Sequence, residues 1–188
     1  MWVAASPTLA EIPGVGLLLR VLAEHESAVE AWLDELEDTG VTVILHARTP
    51  DGARLAAQRG LGLHLPSSAE PARWRPRISG LLGASCHSLQ ALTRAAELCD
   101  YATLSPIHPP RSKPHDRRDT LGLEGLALAC RGARLPVLAL GGQGPGRVTA
   151  SLEAGAHGVA GIGSFGDPEA LAAMAAELHS WAGWAARR

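Results

Sequence analysis

Eight short apolar runs, at residues 2–5, 15–19, 41–45, 61–65, 81–86, 101–104, 135–140 and 159–162, punctuate the 188-residue chain. Most are apolar throughout. A strand with one face in water alternates apolar and polar residues, whereas a strand buried on both faces of a parallel sheet does not. The runs therefore read as buried strands, and the segments between them carry the punctuation of crossover helices. Val29, Trp32, Leu33 and Leu36 form an apolar stripe behind a Ser27/Glu30 capping box, with Gly40 placed to end the helix in a left-handed conformation. Thr49-Pro50 opens a second helix that Gly60 closes, and Ser88 caps a third. Further helices are expected over 123–130, over 145–153, and from Asp167-Pro168 to about Trp181.

Strand and helix alternating with eight strands predict a closed (β/α)8 TIM barrel, because an open doubly wound sheet usually has fewer. The barrel would be compact, with its first and fourth helical units reduced. Residues 8–14 are too few for a crossover helix, and residues 68–77 are interrupted by Pro71 and Pro76. A single domain over residues 1–188 is expected, since a chain of this size buries about 70 % of its unfolded surface. The formal net charge of −2 offers no basic field for nucleic acid or an anionic membrane. No run reaches the roughly 20 apolar residues of a membrane span. Cys86, Cys99 and Cys130 are odd in number and never spaced Cys-x-x-Cys, so neither a disulfide framework nor a zinc site is suggested, and a reducing cytoplasm is the expected location.

Function in such a barrel gathers at the C-terminal ends of the strands, and phosphate commonly binds on the loops after strands seven and eight. Glycines stand in both places. Gly141-Gly142-Gln143 follows one apolar run, and Gly161, Gly163 and Ser164 close another. Glycine lets backbone N–H groups approach phosphate oxygens closely, so two glycine loops on consecutive strands favour a phosphate clamp over simple turn glycines. The loop within residues 101–125 adds Lys113, the one lysine among 17 basic residues, as a candidate anion contact or a solvated side chain. His108, just beyond the sixth run, is placed either to move a proton on a bound heterocycle or to cap backbone. His64 and His87 read as hydrogen-bonded structural residues, and His46 is open. The histidines lack metal-ligand spacing, and neither a nucleophile elbow nor a P-loop is present, so no metal is expected.

Five segments together resemble a known family: GLHLPS, GASCHSLQALTRAAELCDYATLSPI, PPRSKP with LGLEGL, LPVLALGG, and AGAHGVAGIGSF. The resemblance, from about Gly60 to Phe165, is to thiamine-phosphate synthase and its relative TenI, the thiazole tautomerase. It implies a TIM barrel that binds a thiazole phosphate for thiamine biosynthesis. It also implies that Gly142, Gly163 and Ser164 hold the phosphate, that Lys113 meets pyrophosphate, and that Ser85 or Ser88 supplies a hydroxyl near the site. Arg20 fits the family's pyrimidine side, although Leu18 and Val21 stand where a Gln and an acidic residue would serve it.

Two departures separate the branches that the resemblance implies. Where the synthase has an Asn-Asp motif, this chain reads His46-Ala47-Arg48, and the Asp expected after GLHL is replaced within Pro66-Ser67-Ser68-Ala69. Both Mg²⁺ carboxylates of the synthase are thus missing, while a hard divalent cation wants carboxylate oxygens. The tautomerase histidine falls at Pro106, with His108 two residues on. The leading expectation is a tautomerase that needs no cofactor, with His108 as acid/base. The alternatives are a Mg²⁺-dependent synthase and a phosphate-ligand-binding protein without catalysis. Trp181 and Trp184 either pack on the barrel or serve an interface, which leaves a homodimer among the expectations.

Overall fold

The computed structural model describes residues 16–20, 26–48, 50–109, 119–164 and 167–185. They fall into two compact units. One holds the described residues through Ser85 together with Glu97–Tyr101, and the other holds Cys86–Ala96 with the described residues from Ala102 onward.

The first unit runs β1 (Gly16–Arg20), α1 (Glu26–Glu37), β2 (Thr42–His46), α2 (Pro50–Arg59), β3 (Gly62–Leu65), α3 (Pro71–Trp74) and most of β4 (Leu82–Cys86). Its strands pair in parallel, with Arg20 opposite His46, His46 opposite His64, and His64 opposite Gly83. All four residues of β3 are buried, and Leu45, Leu63, Leu65 and Leu82 are fully enclosed, each contributing about 1.5–3 kcal/mol by leaving water. Gly40 and Gly60 adopt φ of +70° and +66°, the left-handed geometry that closes α1 and α2 at little cost. Helix α1 begins at Glu26, so the expected cap Ser27 lies inside its first turn. Pro71 starts α3, and Pro76 turns the chain into a 3-10 turn at Arg75–Arg77. Arg75 fastens this corner. Its guanidinium donates to Asp100 Oδ2 at 2.7 Å and to the carbonyls of Ile78 and Gly80, while Asp100 Oδ2 also accepts from the Leu82 N–H.

The second unit contains α4 (Leu89–Ala95), β5 (Tyr101–Leu104, whose first residue groups with the first unit), α5 (Gly122–Gly132), β6 (Val137–Leu140), α6 (Val148–Glu153), β7 (Gly158–Ala160) and α7 (Pro168–Ala185). Ser88 Oγ caps α4 by accepting from the Ala91 N–H, and Asp167 Oδ1 caps α7 by accepting from Glu169 and Ala170. Helix α6 starts three residues later than the expected 145, because Gly146 sits at φ +79°, outside helical geometry. Val148, Leu152 and Met174 form a buried cluster between α6 and α7, and Val159, Leu178 and Trp181 pack against it.

The closed eight-stranded barrel is corrected. The described residues form a seven-stranded parallel sheet in the order β1 to β7, and no pairing between β7 and β1 occurs among them. Residues 2–5 and 8–14, expected as a first strand and a reduced helical unit, lie outside the described residues. Two strands show locally why the pattern overstated closure. β1 alternates exposed and buried residues instead of being covered on both faces, with Leu18 42 % exposed. β7 is three half-buried residues that stop at Ala160, because the run Gly161-Ile162-Gly163 supplies few side chains to hold an extended edge. Alternating strands and helices in an α/β arrangement persist; the closure does not.

Candidate functional site

In the first unit, the cross-strand register builds a polar row at the C-terminal ends of β1 to β4. Residues opposite each other in a parallel sheet share a face, so Arg20, His46, His64 and Gly83 stand side by side. Gly83 leaves room for the Tyr101 ring, and a Cβ at position 83 would collide with it. His64 bridges that ring to the next residue on the face. Its Nδ1 lies 2.9 Å from Tyr101 Oη and its Nε2 lies 2.9 Å from Ser85 Oγ, so a neutral imidazole donates to one and accepts from the other. The His46 and His64 rings are tilted neighbours, with centroids 5.6 Å apart.

Burial holds both imidazoles neutral. It lowers His64 to about 3, with help from the neighbouring His46 and Arg20, and lowers His46 to about 4, with help from Arg20 and Arg48. Burial likewise pushes the Tyr101 phenol up. His46 Nδ1 is buried without a hydrogen-bond partner. Arg20 and Arg48 are exposed, and neither forms an ion pair among the described residues.

The second unit carries a different constellation. His108 follows Ile107 out of β5, and its N–H donates to the Gly141 carbonyl at 3.1 Å, while the Ile107 N–H donates to Leu140. Gly141 and Gly142 have φ of +102° and +60°. A Cβ on Gly142 would lie 2.7 Å from the Pro109 carbonyl and 2.8 Å from His108 Cβ, so the glycine is what lets the two loops touch. Arg147 Nη1 donates to the Gly142 carbonyl at 2.5 Å. Burial and the charge of Arg147 lower the His108 pKa, and His108 Nε2 is buried without a partner.

Gln143 is buried under this loop. Its Oε1 accepts from Ser151 Oγ at 3.2 Å, its main-chain carbonyl accepts from Ser164 Oγ at 2.7 Å, and its Nε2 has no partner. Position 163 is open, with nothing within 4 Å of an added Cβ. The N-terminal turn of α6 is already occupied: the Glu177 carboxylate accepts from Gly146, Val148 and Thr149.

The expected site residues thus fall into two groups. Gly141, Gly142, Gly163, Ser164 and His108 lie in the second unit, with Gly141 and Gly142 against the His108 loop and Ser164 tied to Gln143. Arg20 and Ser85 lie in the first unit, at the two ends of the histidine row. Lys113 lies outside the described residues. His64 and His87 are hydrogen-bonded, as their positions at strand ends suggested, and His87 Nδ1 donates to the Ser105 carbonyl at 2.7 Å. Sequence reasoning missed Arg147, Gln143 and Tyr101. A polar glutamine after Gly-Gly in an otherwise apolar stretch was the available signal for Gln143; Arg147 and Tyr101 become informative only through contacts made in the fold.

A family model described as thiamine monophosphate synthase matches residues 23–165. The chain belongs to this TMP-TENI family. It is 34 % identical over 139 residues to the thiamine-phosphate synthase of Chromobacterium violaceum, covering 71 % of this chain and 66 % of that protein. To the thiamine-phosphate synthase of Vibrio campbellii it is 31 % identical over 146 residues, covering 76 % of this chain and 68 % of the relative. The matches therefore span about two thirds of the length of these relatives. The fold is similar to that of the thiamine phosphate pyrophosphorylase of Pyrococcus furiosus, with a TM-score of 0.72 and 18 % identity over 93 % of this chain and 85 % of that one.

The Mg²⁺ that the synthase resemblance implies does not fit the TMP-TENI residues present here. Its carboxylate positions are taken by His46, Ala47 and Arg48, and by the stretch Pro66 to Ala69. A neutral imidazole between two guanidinium groups is a poor donor set for a hard cation that prefers carboxylate oxygens. Among the described residues no cluster of three His, Cys, Asp or Glu side chains could hold a metal. No described helix is long and apolar enough to cross a membrane.

Proposed function

We propose that this chain is a TenI-like member of the family, which binds a thiazole phosphate and shifts a proton on it with His108 as the acid/base group. The observation that carries this reading is the placement of His108: its Nε2 is buried without a partner and its backbone is held against the Gly141–Gly142 loop, where burial and then the charge of Arg147 lower its pKa. A neutral imidazole has one unprotonated ring nitrogen, so it can take a proton from one carbon of the ligand and return it to another. An isomerisation of that kind conserves atoms and electrons and needs no metal. Burial, and after it the charge of Arg147, favours the proton-accepting form by making the imidazolium costly. The open backbone at Gly163 and the hydroxyl of Ser164 are the proposed phosphate contacts, with Lys113 a further one.

The test follows a carboxythiazole phosphate by the loss of its exchangeable ring proton in NMR. His108→Ala is expected to slow turnover by about 100-fold or more while thiazole phosphate affinity changes little. Retained turnover would sink the assignment.

The second reading, synthase coupling of thiazole phosphate to a pyrimidine pyrophosphate, is favoured by the names of the relatives. Product formation that depends on added Mg²⁺ would select it over the first.

A further inference from the structure

Helix α5 carries an apolar face that the rest of the second unit leaves uncovered. Leu128 is 60 % exposed, more than any other large apolar side chain among the described residues. One exposed leucine needs no explanation, but this one does not stand alone. Gly132 lies one turn further along the same face, and Leu89 of α4 packs beside it, with Cδ1 2.9 Å from where a Cβ on Gly132 would stand. Leu89 is itself 40 % exposed, so it widens the apolar surface. Glu124 and Arg131, four residues before Leu128 and three after it, share its side of the helix and are both exposed. Neither forms an ion pair among the described residues, whereas Arg54, Arg59 and Arg75 do. Nor do they face each other, because positions 124 and 131 lie two turns, about 10.5 Å, apart along the axis.

The order acid, leucine, base along one face is self-complementary. A second copy of the helix, turned end for end, sets its base against this acid and its acid against this base, with leucine on leucine between them. We propose that α5 is a self-association face, on which two copies of this chain pack with their α5 helices antiparallel. Leu128 sits at the twofold axis, and Glu124 of each copy pairs with Arg131 of the other. Leu89 extends the apolar contact at the Gly132 end, where the missing side chain lets the second helix approach. None of these residues takes part in the proposed proton transfer, so the dimer and the role of His108 stand or fall separately.

The test is sedimentation equilibrium of the full chain. A contact built on one helix and its neighbour is at the small end of specific interfaces, so a dissociation constant on the order of 10 μM is expected. Leu128→Glu should weaken association on the order of 100-fold, because each dimer loses the central leucine twice. Glu124→Arg should weaken it about tenfold by setting two like-charge pairs across the axis. The double reversal Glu124→Arg/Arg131→Glu should return the affinity to within about threefold of the parent, since the charges exchange places and remain paired. These side chains are exposed, so the variants keep the fold, which far-UV circular dichroism checks. A parent chain that stays monomeric up to about 500 μM would overturn the proposal. So would a dimer that Leu128→Glu leaves intact, or a double reversal as weak as Glu124→Arg alone.

Discussion

Tyr101 Oη lies 2.9 Å from His64 Nδ1, and the ring that carries it fills the space a side chain at Gly83 would need. The glycine on β4 and the tyrosine on β5 are therefore one packing unit. Gly83→Ala is expected to destabilise the protein by about 1–3 kcal/mol, because the ring must move off its partner. Tyr101→Phe keeps the ring and loses only the hydroxyl contact, for about 1 kcal/mol. Urea unfolding of the two variants checks the order, and a Gly83→Ala protein as stable as the parent would contradict this packing.

Acid should unfold the chain earlier than its carboxylates alone require. In the unfolded chain His46 and His64 titrate near 6.5, whereas in the fold burial lowers them to about 4 and about 3. Between those values the unfolded state binds more protons, so stability rises with pH through that window. The stabilisation is fully present above about pH 6.5 and is lost as pH falls toward 4 for His46 and onward to 3 for His64. For His46 the loss is on the order of 3 kcal/mol. His46→Gln, which cannot titrate, is expected to flatten the pH dependence of urea midpoints between about pH 6.5 and 4. An unaltered slope would mean that His46 is already charged in the fold.

The seven described strands all fall on apolar runs, and the eighth run, residues 2–5, lies outside the described residues; β3 was legible because all four of its residues are buried. Closure was not legible. Whether a first and a last strand pair depends on edge hydrogen bonds and on side chains such as those β7 lacks, and neither enters a hydropathy pattern. The loop after β6 was visible because the φ of +102° at Gly141 and the close approach of Pro109 and His108 to Gly142 both favour glycine. The roles of Arg147 and Tyr101 were not visible, because each is defined by a contact made only in the fold: Arg147 with the Gly142 carbonyl inside the loop after β6, and Tyr101 with His64 across the sheet. His46 was left open by its position at a strand end, and only its register beside Arg20 gives it a meaning.

Glu177 on α7 accepts hydrogen bonds from the N–H groups of Gly146, Val148 and Thr149, at 2.5, 3.1 and 3.2 Å. These are groups that a short helix cannot satisfy itself, and the negative charge also favours the positive end of the α6 dipole. Glu177→Ala is expected to cost about 1–2 kcal/mol and Glu177→Gln less, since the amide oxygen still accepts but carries no charge. Thermal unfolding provides the comparison. Equal stability of the parent and Glu177→Ala would show that water serves these N–H groups as well.

Gly142 links the two loops of the second unit, and its replacement should separate ligand binding from folding. Its φ of +60° is open to a few other residues, but a Cβ there would press on the Pro109 carbonyl at 2.7 Å and on His108 Cβ at 2.8 Å. Carbonyl and Cβ both belong to the segment that aims His108, so relief of the clash must shift that imidazole. Gly142→Ala is thus expected to cost about 1–3 kcal/mol of stability. It should also lower turnover of a thiazole phosphate by about 100-fold, as misplacement of a catalytic group by about 1 Å does. Gly146→Ala is the comparison: it is strained by its φ of +79° yet has nothing within 4 Å of the added Cβ. A similar stability loss with turnover preserved in Gly146→Ala would assign the Gly142 effect to the displaced His108. Equal turnover in both variants would remove His108 from the reaction.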